Sequence, residues 1–125
     1  MSLFSDVEKD RVLFRGEHFF IIRDGYPVSP GHLLVISNRV VGSYFDLTDE
    51  ERVALGPMIV KAKGIIETEY KPSGYNIGMN CGQAAGQTVM HFHCHVIPRY
   101  DGDVENPRGG VRGVIPGKMN YETTR

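Results

Sequence analysis

Residues 86–97 of this sequence read GQTVMHFHCHVI, and they constrain the fold more than any other stretch. Histidine recurs there at every second position, at His91, His93 and His95. Because successive side chains of a β-strand point to opposite faces, this spacing predicts a strand over 89–98 with the three imidazoles on one face. The apolar residues between the histidines then point to the opposite face, into a core.

On the amino-terminal side of this run, hydrophobic patterns predict four more strands and one long helix. The expected strands cover 12–15, 18–23, 32–37 and 75–80. The helix lies between the third and fourth of them. The order strand-strand-strand-helix-strand-strand favours an α+β fold, with an antiparallel sheet of about five strands and one main helix.

The helix has clear boundaries in the sequence. Thr48 is placed to cap its amino end, and Glu51 follows three residues later, in the position of a capping box. Pro57 lies inside the helix, where proline removes a hydrogen-bond donor and clashes with the preceding turn, so we expect a kink or a split. The apolar residues that recur at helical spacing are Leu55, Ile59, Ala62, Ile66 and Tyr70.

Composition limits the classes of protein to which the chain can belong. The 125 residues suit one domain, with a core over about 10–100 and an irregular tail over 101–125. A formal net charge of −1 gives no bulk attraction to nucleic acid or to a membrane, and no apolar stretch approaches the roughly 20 residues of a membrane span. Two cysteines are too few for a disulfide scaffold, and the first residues do not resemble a secretory signal, so we expect a cytoplasmic protein.

Three imidazoles on one face of a strand are compatible with three kinds of site. They can bind a metal ion, attack phosphorus, or lie on a solvated surface, and the last is uncommon directly after a Gly-rich loop. Zn²⁺ accepts three histidine ligands, but histidines at alternate strand positions usually let only two converge on one ion. We also expect no carboxylate close enough to support a metal-bound histidine, since the nearest acid in sequence is Asp101.

For attack on phosphorus, the middle histidine, His93, is the natural nucleophile. A neutral imidazole attacks through Nε2 while a backbone or side-chain acceptor holds Nδ1–H and fixes the tautomer. The flanking imidazoles can then relay or donate protons. The preceding loop, 84–88, allows close approach of the backbone at Gly86 and offers polar groups to phosphate oxygens.

The run HFHCHVI at 91–97, preceded by GQTV at 86–89, resembles the signature of the histidine triad (HIT) family. Three further stretches are similar to that family, namely RDGYPVSPGH at 23–32, FDLTDEE at 45–51 and YNIGMN at 75–80. The resemblance covers roughly residues 10 to 100. It implies a HIT-like fold whose sheet continues across a homodimer, and substrates that are nucleotides with a substituted α-phosphate.

The resemblance also implies a role for each matched residue. His93 is the nucleophile, His95 and His32 form its proton relay, and His91 positions it. Asp24 accepts the ribose hydroxyls, whereas Gln87 and Thr88 contact phosphate oxygens and the leaving group. The implied substrate-binding residues are therefore Asp24, Asn80, Gly86, Gln87 and Thr88.

Two of these residues also have plain structural interpretations. Asp24 could only cap its own turn, and His32 could be a buried histidine that supports a strand. The resemblance favours ribose binding for Asp24 and a place in the catalytic site for His32.

The tail contains PRGGVR at 107–112, which resembles a stretch found in a bacterial-type branch of the family. Arg108 and Arg112, set among glycines, suit a clamp for distal phosphates, and they are equally compatible with a solvated loop. The clamp interpretation favours long polyphosphate substrates over phosphoramidates.

Many members of the family carry a zinc site that this sequence does not preserve. Its ligands are two cysteines near the amino terminus and a histidine after a later strand, and the matching positions here are Ser2, Ser5 and Val40. We therefore expect no structural zinc, no metal at the histidines and no tightly bound cofactor. A polyphosphate substrate could bring Mg²⁺ as its own charge partner.

These features together predict a nucleotide hydrolase. By resemblance, it cleaves dinucleoside polyphosphates of the Ap4A or Ap3A type, or nucleoside 5′-phosphoramidates, through a covalent nucleotidyl-histidine and releases AMP. The alternatives are a nucleotide phosphorylase or adenylyltransferase, a nucleotide-binding sensor with little turnover, and a histidine–metal protein. The expected partners are an adenine nucleotide and a second copy of the chain, which would pack through the apolar stripe of the helix and a neighbouring strand edge.

Overall fold

The computed structural model describes residues 3–121, and of Leu3 and Asp6 only the backbone. Within that range, five strands and one α-helix follow one another in the predicted order, so the predicted α+β fold is confirmed. The strands are β1 (Val12–Arg15), β2 (Phe19–Arg23), β3 (Leu33–Ser37), β4 (Gly74–Gly78) and β5 (His93–Arg99), and helix α1 (Asp49–Glu67) lies between β3 and β4.

The strands form one antiparallel sheet in the spatial order β1-β2-β3-β5-β4. Strand β5 therefore lies between β3 and β4, inside the sheet. On β3, Ile36 lies opposite His93 and Leu34 lies opposite His95. On β4, Gly78 lies opposite His95. Since glycine has no side chain, this register leaves space beside His95 on the β4 side.

The two faces of the sheet have different coverings. Helix α1 packs on one face and forms the main core, in which Cys94 and Val96 of β5 are buried. The other face carries His93 and His95, because side chains alternate along a strand. We call it the histidine face. Its apolar cluster consists of Phe20, Ile22, Leu34 and Ile36, on which Phe4, Val7 and Val12 pack.

Helix α1 begins where the sequence predicts. Thr48 Oγ1 accepts a hydrogen bond from Glu51 N at 3.1 Å, and Thr48 N donates to Glu51 Oε1 at 2.8 Å, which completes the capping box. Glu51 is buried and also accepts two bonds from the Arg39 guanidinium, at 2.9 and 2.7 Å. These bonds from Arg39 lower the pKa of Glu51 to about 2. The pair therefore ties the start of α1 to the segment that follows β3.

Of the two effects expected of Pro57, a kink or a split, the split does not occur, because α1 is continuous from Asp49 to Glu67. The donor that proline lacks would have bonded the carbonyl group of Val53. Val53 is 78% exposed, so that carbonyl lies on the solvent side, where water can replace the missing bond. None of the helices within residues 3–121 combines the length and hydrophobicity needed to cross a membrane.

The predicted docking stripe of the helix is largely internal. Leu55, Ala62 and Ile66 are buried against the sheet of the same chain, so they are not available to a second copy. Strand β4 is different, because within residues 3–121 it pairs with β5 alone and leaves one edge open. Ile77, on the α1 side of that edge, is 45% exposed.

Candidate functional site

The backbone holds the His93 side chain in one orientation. His93 Nδ1 lies 2.8 Å from the carbonyl oxygen of His91. A carbonyl oxygen only accepts hydrogen bonds, so Nδ1 carries the proton and the neutral ring keeps its lone pair on Nε2. This is the tautomer that a nucleophilic imidazole requires. The ring is 9% exposed, so only a small part of it meets solvent.

His91 does not lie on the strand, contrary to the prediction. Strand β5 begins at His93, and the chain bends over 89–91. It bends because the backbone N–H of Phe92 donates a hydrogen bond to Val41 O at 2.7 Å, outside the neighbouring strands. His91 is fully buried, and its Nε2 lies 2.7 Å from the carbonyl oxygen of Ser37. The His91 side chain thus anchors the residue whose carbonyl group orients His93.

His32 and His95 form a chain of hydrogen bonds. Val28 N donates to His32 Nδ1 at 3.1 Å, so the neutral His32 ring carries its proton on Nε2. That Nε2 lies 2.9 Å from His95 Nδ1, which therefore accepts. His95 in turn carries its proton on Nε2. The two rings connect the backbone of the loop after β2 to a donor on the histidine face.

A carboxylate does lie beside these histidines, and the expectation that none is near is wrong. Asp24 Oδ2 lies 3.3 Å from His32 Nε2 and 3.8 Å from His95 Nδ1. Strands β2 and β3 are antiparallel, so Asp24 and His32 close the same hairpin, with Asp24 N donating to His32 O at 3.1 Å. Asp24 Oδ1 accepts from Tyr26 N at 2.7 Å. The carboxylate therefore caps its own turn and also faces His32 and His95.

Burial keeps these imidazoles uncharged near neutral pH. It lowers the pKa of His95 to about 4, with further lowering by charge on His93 and His32 and an opposing effect from Asp24. Burial also lowers the pKa of His32, again opposed by Asp24. The pKa of His91 is lowered by burial as well, although its bond to Ser37 acts in the opposite direction. The cluster therefore offers neutral donors and acceptors.

Asp24, His32 and His95 offer three metal-ligand atoms within 4.8 Å of one another. A histidine that binds a metal uses a lone pair and donates its other N–H to an acceptor. His32 has the reverse arrangement, because its Nδ1 accepts a backbone N–H and its Nε2 carries the proton. Metal binding at Nε2 would break that hydrogen bond, so the geometry suits a proton relay better than a metal centre.

The positions matched to a structural zinc site do not provide its ligands. Ser5 and Val40 line one cavity together with Phe4 and His91. A valine cannot bind Zn²⁺, and thiolate and imidazole are the ligands that structural zinc sites use. Ser2, the third matched position, lies outside the described residues. The donor set therefore does not fit structural zinc.

The loop before the histidines is held by the side chain of Gln87. Its Oε1 accepts from Gly82 N at 2.8 Å, and its Nε2 donates to Gly42 O at 2.6 Å and to Val89 O at 3.1 Å. The structure thus uses the Gln87 amide, which is buried, to shape the loop. Gly86 ends the short 3-10 helix Gln83–Ala85 with a φ of 92°, a left-handed conformation that favours glycine.

The other loop residues implied by the resemblance are more accessible. Thr88 is exposed and Asn80 is half-buried, and both flank the loop that Gln87 holds. They are therefore better placed than Gln87 to meet a phosphate group.

Phe4 also belongs to the site, although no motif in the sequence indicated a role for it there. Its ring centroid lies 4.9 Å from that of His93 and 5.8 Å from that of His91, both edge to face. Phe4 lies in the 3-10 helix Leu3–Asp6 and packs on the histidine face with Val7. The spacing of Phe4 and Val7, three residues apart, is the signal that could have predicted an apolar face here.

Arg108 and Arg112 make their contacts within the tail. Their guanidinium carbons lie 4.6 and 5.0 Å from the ring centroid of Tyr121. Arg108 Nε also donates to Tyr121 O at 3.2 Å. The structure thus brings His32, His91, His93, His95 and Asp24 together, and it engages the two arginines in the folding of the tail.

Comparison with known proteins agrees with this geometry, because residues 5–102 match the HIT domain. The chain belongs to the HIT family. AP-4-A phosphorylase of Mycobacterium tuberculosis is 39% identical over 97 residues, which are 77% of this chain and 50% of that protein. Bis(5′-adenosyl)-triphosphatase of Dictyostelium discoideum is 35% identical over 100 residues, which are 80% of this chain and 67% of that protein.

Solved structures of the HIT family agree as well. The crystal structure of a HIT family protein from Bacillus anthracis has a TM-score of 0.69 and 37% sequence identity, and it covers 74% of this chain and 65% of that one. This HIT-family chain spans about half the length of its mycobacterial relative.

Acidification from pH 7 to pH 5 should destabilise the fold. The pKa of His95 falls from 6.5 to about 4 on folding, so between these values the unfolded chain binds more protons. The stability that His95 contributes in its neutral form is fully present above pH 6.5, and it is lost as the pH falls toward 4. From His95 alone we expect the free energy of unfolding to drop by about 2 kcal/mol between pH 7 and pH 5. Urea unfolding at the two pH values measures this drop.

The control is His95→Asn, which removes the titrating group and keeps a polar side chain. This variant should lose less stability than the parent protein over the same pH interval, and the remaining loss reports on His32 and His91. Equal losses in both proteins would contradict the assignment to His95. Glu51, whose pKa falls from 4.5 to about 2 on folding, loses most of its contribution below pH 4.5 and therefore adds little in this window.

Proposed function

We propose that this chain transfers a nucleotidyl group through His93 and hydrolyses the resulting intermediate. The observation that carries this proposal is the hydrogen bond between His93 Nδ1 and the His91 carbonyl oxygen, at 2.8 Å, which leaves the lone pair on Nε2. A neutral imidazole with that lone pair can attack phosphorus and divide one difficult displacement into two easier ones. The substrate is a nucleotide with a substituted α-phosphate.

In the first step, a bond forms between His93 Nε2 and the α-phosphorus as the bond to the leaving group breaks. A polyphosphate departs as a stable anion and needs only a hydrogen bond, which His95 Nε2–H can donate. The amine of a phosphoramidate needs a proton, so His95 or His32 must first be protonated. Asp24 Oδ2, 3.3 Å from His32 Nε2, would stabilise that positive charge.

In the second step, water attacks the phosphorus, and the bond to His93 breaks with its electron pair returning to Nε2. The proton that water loses passes to the histidine cluster, where Asp24 again offsets the charge. The product is a nucleoside monophosphate. If inorganic phosphate takes the place of water, the product is a nucleoside diphosphate, and the mycobacterial relative named as a phosphorylase favours testing this second outcome.

The substrate-binding groups lie on the same face as the nucleophile. Asp24 retains acceptor capacity for ribose hydroxyls, because a carboxylate has more lone pairs than its present contacts use. The apolar cluster around Leu34 is buried, and the half-buried residues that cover it, Phe4 and Val7, offer an apolar surface for the base. Thr88 and Asn80 flank the loop that ends at Gly86, and we assign them to the phosphate group.

The names of two relatives indicate the substrate class. One is named for Ap4A and the other for a bis(5′-adenosyl) triphosphate, and both are at least 35% identical to this chain. We therefore favour dinucleoside polyphosphates as substrates, with nucleoside phosphoramidates as the simpler class for which the site also has the required groups.

Replacing His93 should abolish turnover and preserve binding. The imidazole is needed to form the bond to phosphorus, whereas ribose and phosphate contacts hold the ligand. We expect His93→Asn to lower kcat by about 10³-fold or more, with the Kd for AMP within a few-fold of the parent value. Chromatographic product analysis with Ap4A, with and without inorganic phosphate, measures turnover and separates AMP from ADP.

The matched control is His18→Asn, since His18 precedes β2 outside the site and should tolerate the change. Near-normal turnover in His93→Asn would exclude the nucleophilic role. Loss of AMP binding together with turnover would show instead that His93 supports the structure of the site.

Chelation should leave phosphoramidate cleavage unchanged. The proton that His32 carries on Nε2 argues against a metal ion at that position, and a phosphoramidate lacks the distal phosphates that bring Mg²⁺. Cleavage of adenosine 5′-phosphoramidate before and after EDTA treatment, with metal analysis of the protein, measures this. One tightly bound zinc ion per chain whose removal stops cleavage would overturn the metal-free proposal.

We further propose that the chain forms a two-fold symmetric homodimer through the open edge of β4. Antiparallel pairing of two such edges satisfies their unpaired backbone groups and buries Ile77 of each copy. Light scattering at micromolar concentration should give the mass of a dimer. Ile77→Lys should shift it toward a monomer, whereas Val40→Lys, an exposed valine after β3, should not. A monomeric parent protein would contradict the proposal.

A further inference from the structure

The histidine face continues beyond His95 into a separate cavity. Its volume is about 320 Å³, within the range of small-molecule pockets. Strands β4 and β5, the loop after β2 and the tail all contribute to its walls. The apolar lining residues are Val28, Ile97, Val104, Pro107 and Met119, and the polar ones are Ser29, Asn76, Arg99 and Asp103.

The tail is built to form one wall of this cavity. Gly109 has a φ of 93°, and a Cβ at that position would overlap the carbonyl oxygen of Met119. Gly110, with a φ of 47°, brings the chain close to Asn76, whose Nδ2 would lie 3.2 Å from an added Cβ. Because these two residues are glycines, Met119 and the adjoining turn can lie against the sheet. The Gly-rich motif of the tail therefore permits the close packing that forms this wall of the cavity.

The two arginines of the motif support the same wall. Arg108 and Arg112 both contact the ring of Tyr121, at 4.6 and 5.0 Å, and Tyr121 follows Met119 by two residues. These contacts secure the returning end of the tail. The arginines thus act on the cavity through Met119 and do not line it themselves.

The charges at the cavity wall favour a neutral group over a phosphate. Arg99 donates to both carboxylate oxygens of Asp103, at 2.7 and 2.8 Å, so its charge is already balanced. A third donor, on Nη1, bonds Asn76 Oδ1 at 2.6 Å, which fixes that amide on the wall. The pair lies among apolar side chains and supplies oriented polar groups with no net charge. Such a lining suits a nucleoside, which has an apolar base surface and neutral hydroxyl groups.

The cavity also lies beside the histidines on the same face of the sheet. Ile97 shares the histidine face with His95, about 7 Å further along β5. On the β3 side of His95, the buried cluster around Leu34 is covered by Phe4 and Val7, which are half-buried. The histidines therefore lie between these two apolar side chains and the cavity, and a base can be accommodated on either side. A dinucleoside polyphosphate has the matching form, with one nucleoside at each end of an anionic chain.

We propose that this cavity binds the leaving nucleoside of a dinucleoside polyphosphate, the one that departs when His93 attacks. The inference rests on the proposed function and adds a second nucleoside site to it. The base contacts Ile97 and Met119, and Asn76 with Asp103 meets the ribose hydroxyls. The tail then contributes to substrate choice through a nucleoside contact, in place of a clamp on distal phosphates.

Two substrates that differ in the leaving nucleoside test this proposal. Diadenosine tetraphosphate and adenosine 5′-tetraphosphate share the adenosine, the α-phosphate and the number of phosphates. The parent protein should show a kcat/KM about tenfold or more higher for the dinucleotide. Ile97→Trp fills the cavity and should bring the dinucleotide value down to that of the mononucleotide, which itself should stay within about twofold of its parent value.

Two further variants complete the test. Ile115→Trp makes the same change at an exposed tail position that does not line the cavity, and it should keep the preference. Met119→Ala removes part of the wall without filling the space and should also lower the preference, which guards against misfolding of Ile97→Trp. Thermal melting checks the folding of each variant.

Equal kcat/KM values for the two substrates in the parent protein would overturn the second site. So would an equal loss on both substrates in Ile97→Trp, because the cavity would then act on the α-phosphate site itself. Failure of the parent protein to cleave either substrate is a different result, since it would reject the proposed function and this inference with it.

Discussion

The chemistry that we propose for this chain depends on one hydrogen bond, between His93 Nδ1–H and the carbonyl oxygen of His91. It determines which nitrogen of His93 holds the lone pair, and it fixes the plane of the ring. The acceptor is itself held in place, since the buried His91 side chain bonds the carbonyl oxygen of Ser37 at the end of β3. The proposed nucleophile is therefore oriented by the backbone of the sheet, with little freedom left in the side chains.

The proposed proton relay depends on a second part of the same sheet, the hairpin between β2 and β3. Val28 N–H fixes the tautomer of His32, which then donates to His95, and Asp24 faces both rings. Burial makes the charged form of these rings costly, as the lowered pKa of His95 shows. One carboxylate beside two neutral imidazoles reduces that cost when a proton has to be held, and the proposed relay requires such transient uptake and release of a proton.

Local patterns predicted much of this arrangement, and long-range contacts account for the rest. The alternation of histidines indicated a shared face, and the Thr48–Glu51 capping box located the start of α1, because both depend on neighbours within a few residues. The position of Asp24 depends on the β2–β3 hairpin, so its distance from the histidines in sequence was misleading. His91 leaves the strand because the Phe92 backbone pairs with Val41, a contact across about 50 residues that no local pattern shows. The contacts of Arg108 and Arg112 with Tyr121 are likewise ones that no local sequence pattern shows.

The stereochemistry at the α-phosphorus tests the nucleophilic role of His93 most directly. Attack by His93 followed by attack of water gives two in-line displacements, and each inverts the configuration of phosphorus. A dinucleoside polyphosphate carrying sulfur in one configuration at the α-phosphorus, hydrolysed in isotopically labelled water, yields a chiral nucleoside thiophosphate. A covalent nucleotidyl-histidine predicts net retention of configuration in that product. Net inversion would show a single direct attack by water and would contradict the role assigned to His93.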